Sequence, residues 1–327
     1  MAEVGIPPTP SPSPQGGGES PPTRAALPII DAHHHVWDLS LRAHPWLIDE
    51  PPIPFRYGDY SPIRRSYLPD DYRRDAARFN VVGTVYVEAE WDPADPVGET
   101  RWVHETAARC RLPNAMVAQA WLDRDDAAEV LAQQASFPLV RSVRHKPKAA
   151  VRREEARRGA PGSMDCPRWR AGYALLARHG FHFDLQTPWW HFAAAAELAR
   201  DFPATTIIVN HTGLPADRSA EGLAGWRAAL ELLAAEPNLA LKISGLGVPG
   251  RRWTPELQGP VVRDAIRIFG AERAMFASNF PVDQLVATFE EIFAGFLAIT
   301  GDLDEPTRRK LFHDNAARIY RLQGRTP

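Results

Sequence analysis

The stretch IIDAHHHVWDLS, Ile29 to Ser40, sets three histidines directly behind a short apolar run. Histidine is the commonest metal ligand and the side chain that titrates nearest neutral pH, so the cluster points to metal or acid–base chemistry. In a strand alternate residues point the same way, so His33 and His35 can share a face while His34 turns away. Polar residues also stand at the ends of later apolar runs: Glu88, Gln119, Arg144 and His145, Asp184 or Gln186, Asn210 and His211, Lys242 and Ser244, Ser278 and Asn279. If those runs end at one mouth, His33, His35, His211 and Glu88 supply the nitrogen and oxygen ligands that suit zinc or a similar divalent ion. Taken singly, each also fits a hydrogen-bonded residue capping a barrel.

The elements that must position them follow a rhythm of short apolar run, polar end and amphipathic stretch, which reads as repeated β-loop-α units. Strands are predicted at 27–32, 82–89, 115–122, 138–144, 181–186, 205–211, 239–245 and 273–279, with helical periodicity between them. Eight strands alternating with helices predict an α/β fold, a (β/α)8 TIM barrel whose strand ends build the active site. An open doubly wound sheet is the alternative, although its nucleotide-binding form carries a glycine-rich turn where this chain has histidines. Residues 40–68, rich in proline and aromatics, are a candidate wall or lid. The basic stretch 146–166 reads as a solvated face that could also draw an anionic substrate.

The 327 residues are 44% hydrophobic with a formal net charge of −2, enough for a sizeable core and without the basic excess of a nucleic-acid binder. Residues 1–25, dominated by proline, serine and glycine, are expected to be a disordered tail, and 26–327 a single domain. The start lacks the pattern of a signal peptide and no run of about 18 apolar residues occurs, so a cytoplasmic protein without a membrane span is expected. Cys110 and Cys166 have no CxxC spacing and form no disulfide framework. Trp37, Trp46, Trp91, Trp189 and Trp190 fall in mouth loops, where aromatic walls describe a small-molecule pocket or pack loops onto the rim.

The motifs DAHHHVWD, VRHKP, FDLQTP, VNHTGLP and ASNFPVD are similar to those of the amidohydrolase-related family that includes 2-pyrone-4,6-dicarboxylate lactonase, L-fuconolactonase and sulfomuconolactonase. The resemblance runs from about Ile29 to Tyr320. It implies a distorted (β/α)8 barrel of the metal-dependent hydrolase type that opens lactones, with zinc in some members and no tightly held metal in others. The first-strand pair matches His33 and His35, the sixth-strand histidine His211, and the fourth-strand arginine Arg144. The eighth strand departs: relatives carry a base-acting aspartate where this chain has Asn279.

An asparagine amide has no accessible proton-accepting pKa, so Asn279 is not a general base. Asp283, Glu88 and His211 are the candidates, although Asp283 equally fits a cap of the following helix. The resulting expectation is metal-assisted opening of a cyclic ester that is anionic or sugar-derived. Arg144 would hold a carboxylate or oxyanion, His211 would position or protonate the carbonyl oxygen, and Gln186, Trp37 and Trp189 would join Arg144 around the substrate. Non-oxidative decarboxylation of a carboxylic acid and a catalytically altered ligand-binding barrel are the alternatives, and a homo-oligomer stays open.

Overall fold

Eight runs rich in Val, Ile, Leu and Ala form eight parallel strands, each hydrogen-bonded to the next in sequence order. They are β1 (Ile29–His34), β2 (Val81–Val87), β3 (Ala115–Gln119), β4 (Val140–Arg144), β5 (His182–Leu185), β6 (Ile207–Val209), β7 (Leu239–Ile243) and β8 (Ala274–Phe276), in a computed structural model that describes residues 27–322. The stretch 1–25, expected to be disordered, lies outside the described residues. Parallel neighbours cannot be joined by tight turns, so each pair is separated by a crossover. The helices are α1 (Pro45–Ile48), α2 (Pro69–Ala76), α3 (Gly98–Cys110), α4 (Ala127–Ala135), α5 (Pro167–Tyr173), α6 (Phe192–Asp201), α7 (Ala220–Ala234), α8 (Pro255–Phe269), α9 (Phe289–Ile299), α10 (Glu305–Arg309) and α11 (Asn315–Ile319). This is the (β/α)8 barrel read from the sequence. Among the described residues no helix is long and apolar enough to cross a membrane.

All eight expected strands are present, but several stop short of the polar residues assigned to their ends. The reason is local: Glu90, His211 and Asn279 have φ of 58°, 55° and 57°. A left-handed backbone breaks the pleat and swings the following chain across the mouth.

Two features fix the barrel. The first is a register shift in β1, where Asp31 pairs with Thr84 but His34 with Tyr86, so three steps on β1 match two on β2. Ile30 and Ala32 belong to the small-residue cluster with Val85, Val87, Ala240 and Met275. The extra residue breaks strict alternation, which is how His33 and His35 follow them into the lumen while Asp31 and His34 face the helices. The second is the β1–β8 seam. The Asn279 N–H donates to the His33 carbonyl at 2.8 Å and the His35 N–H to the Phe280 carbonyl at 2.7 Å. Beneath these, the fully buried Asp31 accepts from the Ser278 N–H at 2.8 Å, the Ser278 hydroxyl at 2.6 Å and the Tyr72 hydroxyl of α2 at 2.8 Å. Asp31 is thus a seam residue and not a mouth residue.

Asp184 and Lys242, read as strand-end candidates, are wholly buried inside the barrel. Lys242 Nζ donates to Asp184 Oδ1 at 2.6 Å, and Asn210 Nδ2 and the Tyr320 hydroxyl add contacts at 2.9 and 3.0 Å. Tyr320, just past α11, closes the lower end together with Ala316 and Ile319. Breaking one side of such a buried pair costs about 3–5 kcal/mol, because the other charge is stranded.

The 40–68 insert wraps the mouth through its aromatics: Trp37 pairs with Tyr67 across a short antiparallel bridge, and Trp46 stacks on Phe55 at 5.9 Å. His44 is wedged between Trp37 and Trp91, and neither ring nitrogen has a hydrogen-bond partner. Burial lowers its pKa from 6.5 to about 4. Protonation therefore favours the unfolded chain, and the stability contributed by neutral His44 is present above pH 6.5 and lost as pH falls toward 4. Between pH 7 and 5 this single group removes about 2 kcal/mol. Urea unfolding of His44→Leu at those two pH values should show the acid sensitivity of the wild type reduced by about that amount. An unchanged difference would mean that His44 is protonated at little cost.

Candidate active site

The upper end of the lumen opens into a pocket of about 260 Å³. Its floor is His35, His211 and Asn279, and its walls include Trp37, Trp46, Phe55, Arg56, Arg144, Lys146 and Gln186. His33 lies directly beneath, fully buried, with its ring 5.0 Å from that of His35 and 4.6 Å from that of His211. His34 points the other way, against Tyr72 at 4.5 Å.

His35 Nδ1 is 2.7 Å from the Val87 carbonyl, which can only accept, so the proton is on Nδ1 and Nε2 keeps its lone pair. That Nε2 lies 3.3 Å from His33 Nε2. Two nitrogens about 2.0–2.1 Å from a tetrahedral zinc lie roughly 3.3–3.4 Å apart, so the pair has ligand spacing. Both imidazoles are held neutral, with pKa well below 6.5: burial is the main cause in each, followed by the Lys242 charge for His33 and the Arg144 charge for His35. Neutral, buried, convergent nitrogens fit a divalent ion.

The fuller ligand set expected from the sequence is not assembled. Among the described residues no three His, Cys, Asp or Glu side chains converge as a metal site. Glu88 is tied elsewhere: Oε1 accepts from Arg144 Nε and Oε2 from the Glu90 N–H at 2.8 Å. The guanidinium, equally buried, meets the carboxylate directly and so takes the place expected for the ion. His211 instead adjoins the pair from a left-handed turn, its Nδ1 3.0 Å from Ser244 Oγ. Gly245 makes that position possible, since a Cβ there would stand 2.6 Å from His211 Nδ1. Burial, then the Arg56 and Arg144 charges, keep His211 neutral.

Arg144 is less free than a carboxylate clamp requires. Besides Glu88 Oε1 it donates to the Glu88 carbonyl at 2.5 Å and to Gln186 Oε1 at 3.0 Å. Lys146 is paired with Glu90, and Arg56, from the insert, approaches Asp283 at 3.4 Å. Every cation on the pocket wall thus has a carboxylate partner.

Asp283 is neither a helix cap nor a pocket residue. Thr288 caps α9 in a capping box with Glu291. Asp283 is buried behind Asn279, and its Oδ1 accepts from Asn279 Nδ2 at 2.6 Å, the Tyr57 hydroxyl at 3.0 Å and Arg56. Burial raises its pKa against the opposing pull of Arg56 and these donors. It therefore does not reach the pocket as a base. Asn279 lines the pocket, and with Nδ2 given to Asp283 its carbonyl Oδ1 is the side-chain group left to accept a hydrogen bond. Trp189 also departs from expectation, packing on Gly225 of α7 beneath Arg153 and not lining the pocket.

Arg56, Phe55, Lys146 and Glu90 went unassigned in the sequence. The KP pair after Arg144-His145 and the arginine inside the aromatic insert are the signals they left.

The amidohydrolase family matches residues 30–322. The chain is 40% identical over 296 residues, 90% of its length and 99% of the relative's, to the uncharacterized protein y4mH of Sinorhizobium fredii. It is 28% identical over 305 residues, 90% of this chain and 95% of the relative, to an L-fucono-1,5-lactonase of Burkholderia ambifaria. A crystal structure of an amidohydrolase from Burkholderia multivorans with bound zinc is similar with a TM-score of 0.75 and 25% identity, covering 90% of this chain and 99% of that one. With the family matched along nearly the whole barrel and the strand-end histidines in place, the chain belongs to the amidohydrolase family and is a hydrolase.

Proposed function

We propose that this protein opens an uncharged, sugar-derived lactone by adding water to its carbonyl. The observation that carries the reading is the pair of neutral imidazoles, His33 and His35, 3.3 Å apart at the base of a pocket whose cations are all paired. The side chains of the wall offer a carboxylated substrate no free cation, since it would have to displace Glu88, Glu90 or Asp283, and the ion is needed for the lactone carbonyl. The likeness to an L-fucono-1,5-lactonase supports the substrate class, and the zinc-bound relative supports the ion.

His33 and His35 would hold a divalent ion through their Nε2 atoms, and bound there it would polarise the carbonyl and acidify water. The remaining chemistry belongs to the chain. Asn279 Oδ1 accepts a hydrogen bond and orients the attacking water. His211, in the tautomer whose Nδ1–H donates to the Ser244 Oγ 3.0 Å away, would take the water proton at Nε2 and return it to the ring oxygen as the carbonyl–oxygen bond breaks. The N–H hydrogens that Arg144 retains, with Gln186, hold the carbonyl and hydroxyl oxygens, while Trp37 and Trp46 wall the ring.

Base uptake in a pH-stat by zinc-loaded protein on neutral sugar lactones, L-fucono-1,5-lactone among them, tests the reading. Turnover of neutral lactones in preference to carboxylated ones is expected. Carbon dioxide release would make the protein a decarboxylase, and binding without turnover would make it a ligand-binding barrel.

Replacing His33 and His35 together with alanine should remove zinc, read by elemental mass spectrometry, and lower kcat by at least about 10²-fold. The melting temperature should shift by only a few degrees, since the pair contributes little apolar burial. Loss of folding with no change in metal content would make the pair structural.

Because His211 is neutral well below pH 6.5, kcat/KM should stay flat as pH falls through 6.5. Asp283→Asn should lower kcat by less than about tenfold without moving that profile, whereas Asn279→Leu should cost about 10²-fold, the scale of a lost positioned polar group. A collapse of activity in Asp283→Asn with a displaced acid limb would restore Asp283 as the base.

A further inference from the structure

A second compartment, of about 360 Å³, lies beside the catalytic pocket over the ends of β2, β3 and β4. The two share Trp46, Glu90, Arg144 and Lys146, so the Glu90–Lys146 ion pair stands as a partition between them. Glu90 is placed there by its left-handed backbone, with its N–H on Glu88. Three tryptophans, Trp46, Trp91 and Trp121, with Gln119 and His145, complete the wall. Apart from the shared Trp46 and Arg144, the mechanism above uses none of these groups.

The polar groups define what would fit. Gln119 is 7% exposed and its Oε1, buried, has no hydrogen-bond partner, an acceptor left unsatisfied. His145 Nδ1 accepts from the Leu122 N–H at 3.0 Å and from Trp169 Nε1 at 3.1 Å, so its proton is on Nε2. The nearest carboxylate to that proton, Asp123, is 3.9 Å away, beyond hydrogen-bond reach. One open acceptor and one open donor match a hydroxyl, which is both. The charges on this wall, Glu88 with Arg144 and Glu90 with Lys146, are already paired.

Resting on the lactonase reading, we propose that the compartment binds an uncharged, hydroxyl-bearing ring attached to the lactone, seated among Trp46, Trp91 and Trp121 with a hydroxyl between Gln119 and His145. The volume suits one six-membered ring. Flat indole faces stack equally on a glycosyl or a phenolic ring, and these are the two sources of the same chemistry.

Saturation-transfer NMR of the zinc-loaded protein with methyl glucoside, methyl galactoside and phenol, none of which can be hydrolysed as a lactone, tests binding without reference to turnover. At least one probe should bind in the millimolar range, and Gln119→Leu and Trp121→Ala should each weaken it at least about fivefold. A preference for the glycosides or for phenol identifies the source. In parallel, kcat/KM for a sugar lactone bearing the better ring should exceed that of the bare lactone by about tenfold, and the ratio should fall toward one in both variants. Ring binding lost in the variants by a protein inert on every lactone would keep the compartment and overturn the lactonase reading. Lactone turnover with no probe bound at tens of millimolar, or with binding and rate ratio unmoved in both variants, would overturn the compartment.

Discussion

The seam between β1 and β8 is the constraint on which the site depends. A barrel of parallel strands closes only if its first and last strands meet, and here they meet through backbone bonds from Asn279 and His35 to His33 and Phe280. The residues that complete the cylinder are therefore the residues that form, or flank, the candidate site. Asp31 makes this rigid from below by gathering both Ser278 donors and the Tyr72 hydroxyl onto one buried carboxylate. Burial raises the Asp31 pKa, and those hydrogen bonds pull it back, the balance expected when a carboxylate is used as structural glue. Barrel closure and the geometry of the candidate site are one set of contacts.

Charge neutrality is the second organising principle. The lumen contains a buried lysine, the mouth two arginines and a lysine, and each is met by a carboxylate: Asp184, Asp283, Glu88 and Glu90. Burial first, and then the repulsion of protons by these cations, keeps His33, His35 and His211 neutral and able to donate lone pairs. The same pairing leaves the side chains of the mouth no unpaired cation to offer an anion. Available lone pairs at the floor and paired cations on the wall are two aspects of one electrostatic layout.

Asn279 makes sense within that layout. It lies 2.6 Å from Asp283, and a carboxylate in its place would face another carboxylate at hydrogen-bond distance, so that the two could not both ionise. The amide removes the conflict, donates to Asp283 and keeps an oxygen able to accept a hydrogen bond. The 40–68 insert takes part through Tyr57 and Arg56, which reach Asp283 from across the mouth. The insert thus acts as a wall whose contacts end on the residue that orients Asn279.

By itself the sequence determined the architecture and the identity of the central histidines. Strand and helix periodicities are properties of consecutive residues, so eight alternating units, and the polar residues at their ends, are legible without a structure. Partner choice is not. Whether Glu88 meets an ion or Arg144, and whether Asp283 caps a helix or lies behind Asn279, depends on which groups from distant strands arrive in the same cubic nanometre. Even the inward position of His33 and His35 needed something no pattern shows: strict alternation carried through from Ile30 and Ala32 would have turned both away from the lumen. The extra residue in β1 turns them inward, and its cause is the register that neighbouring strands impose on one another.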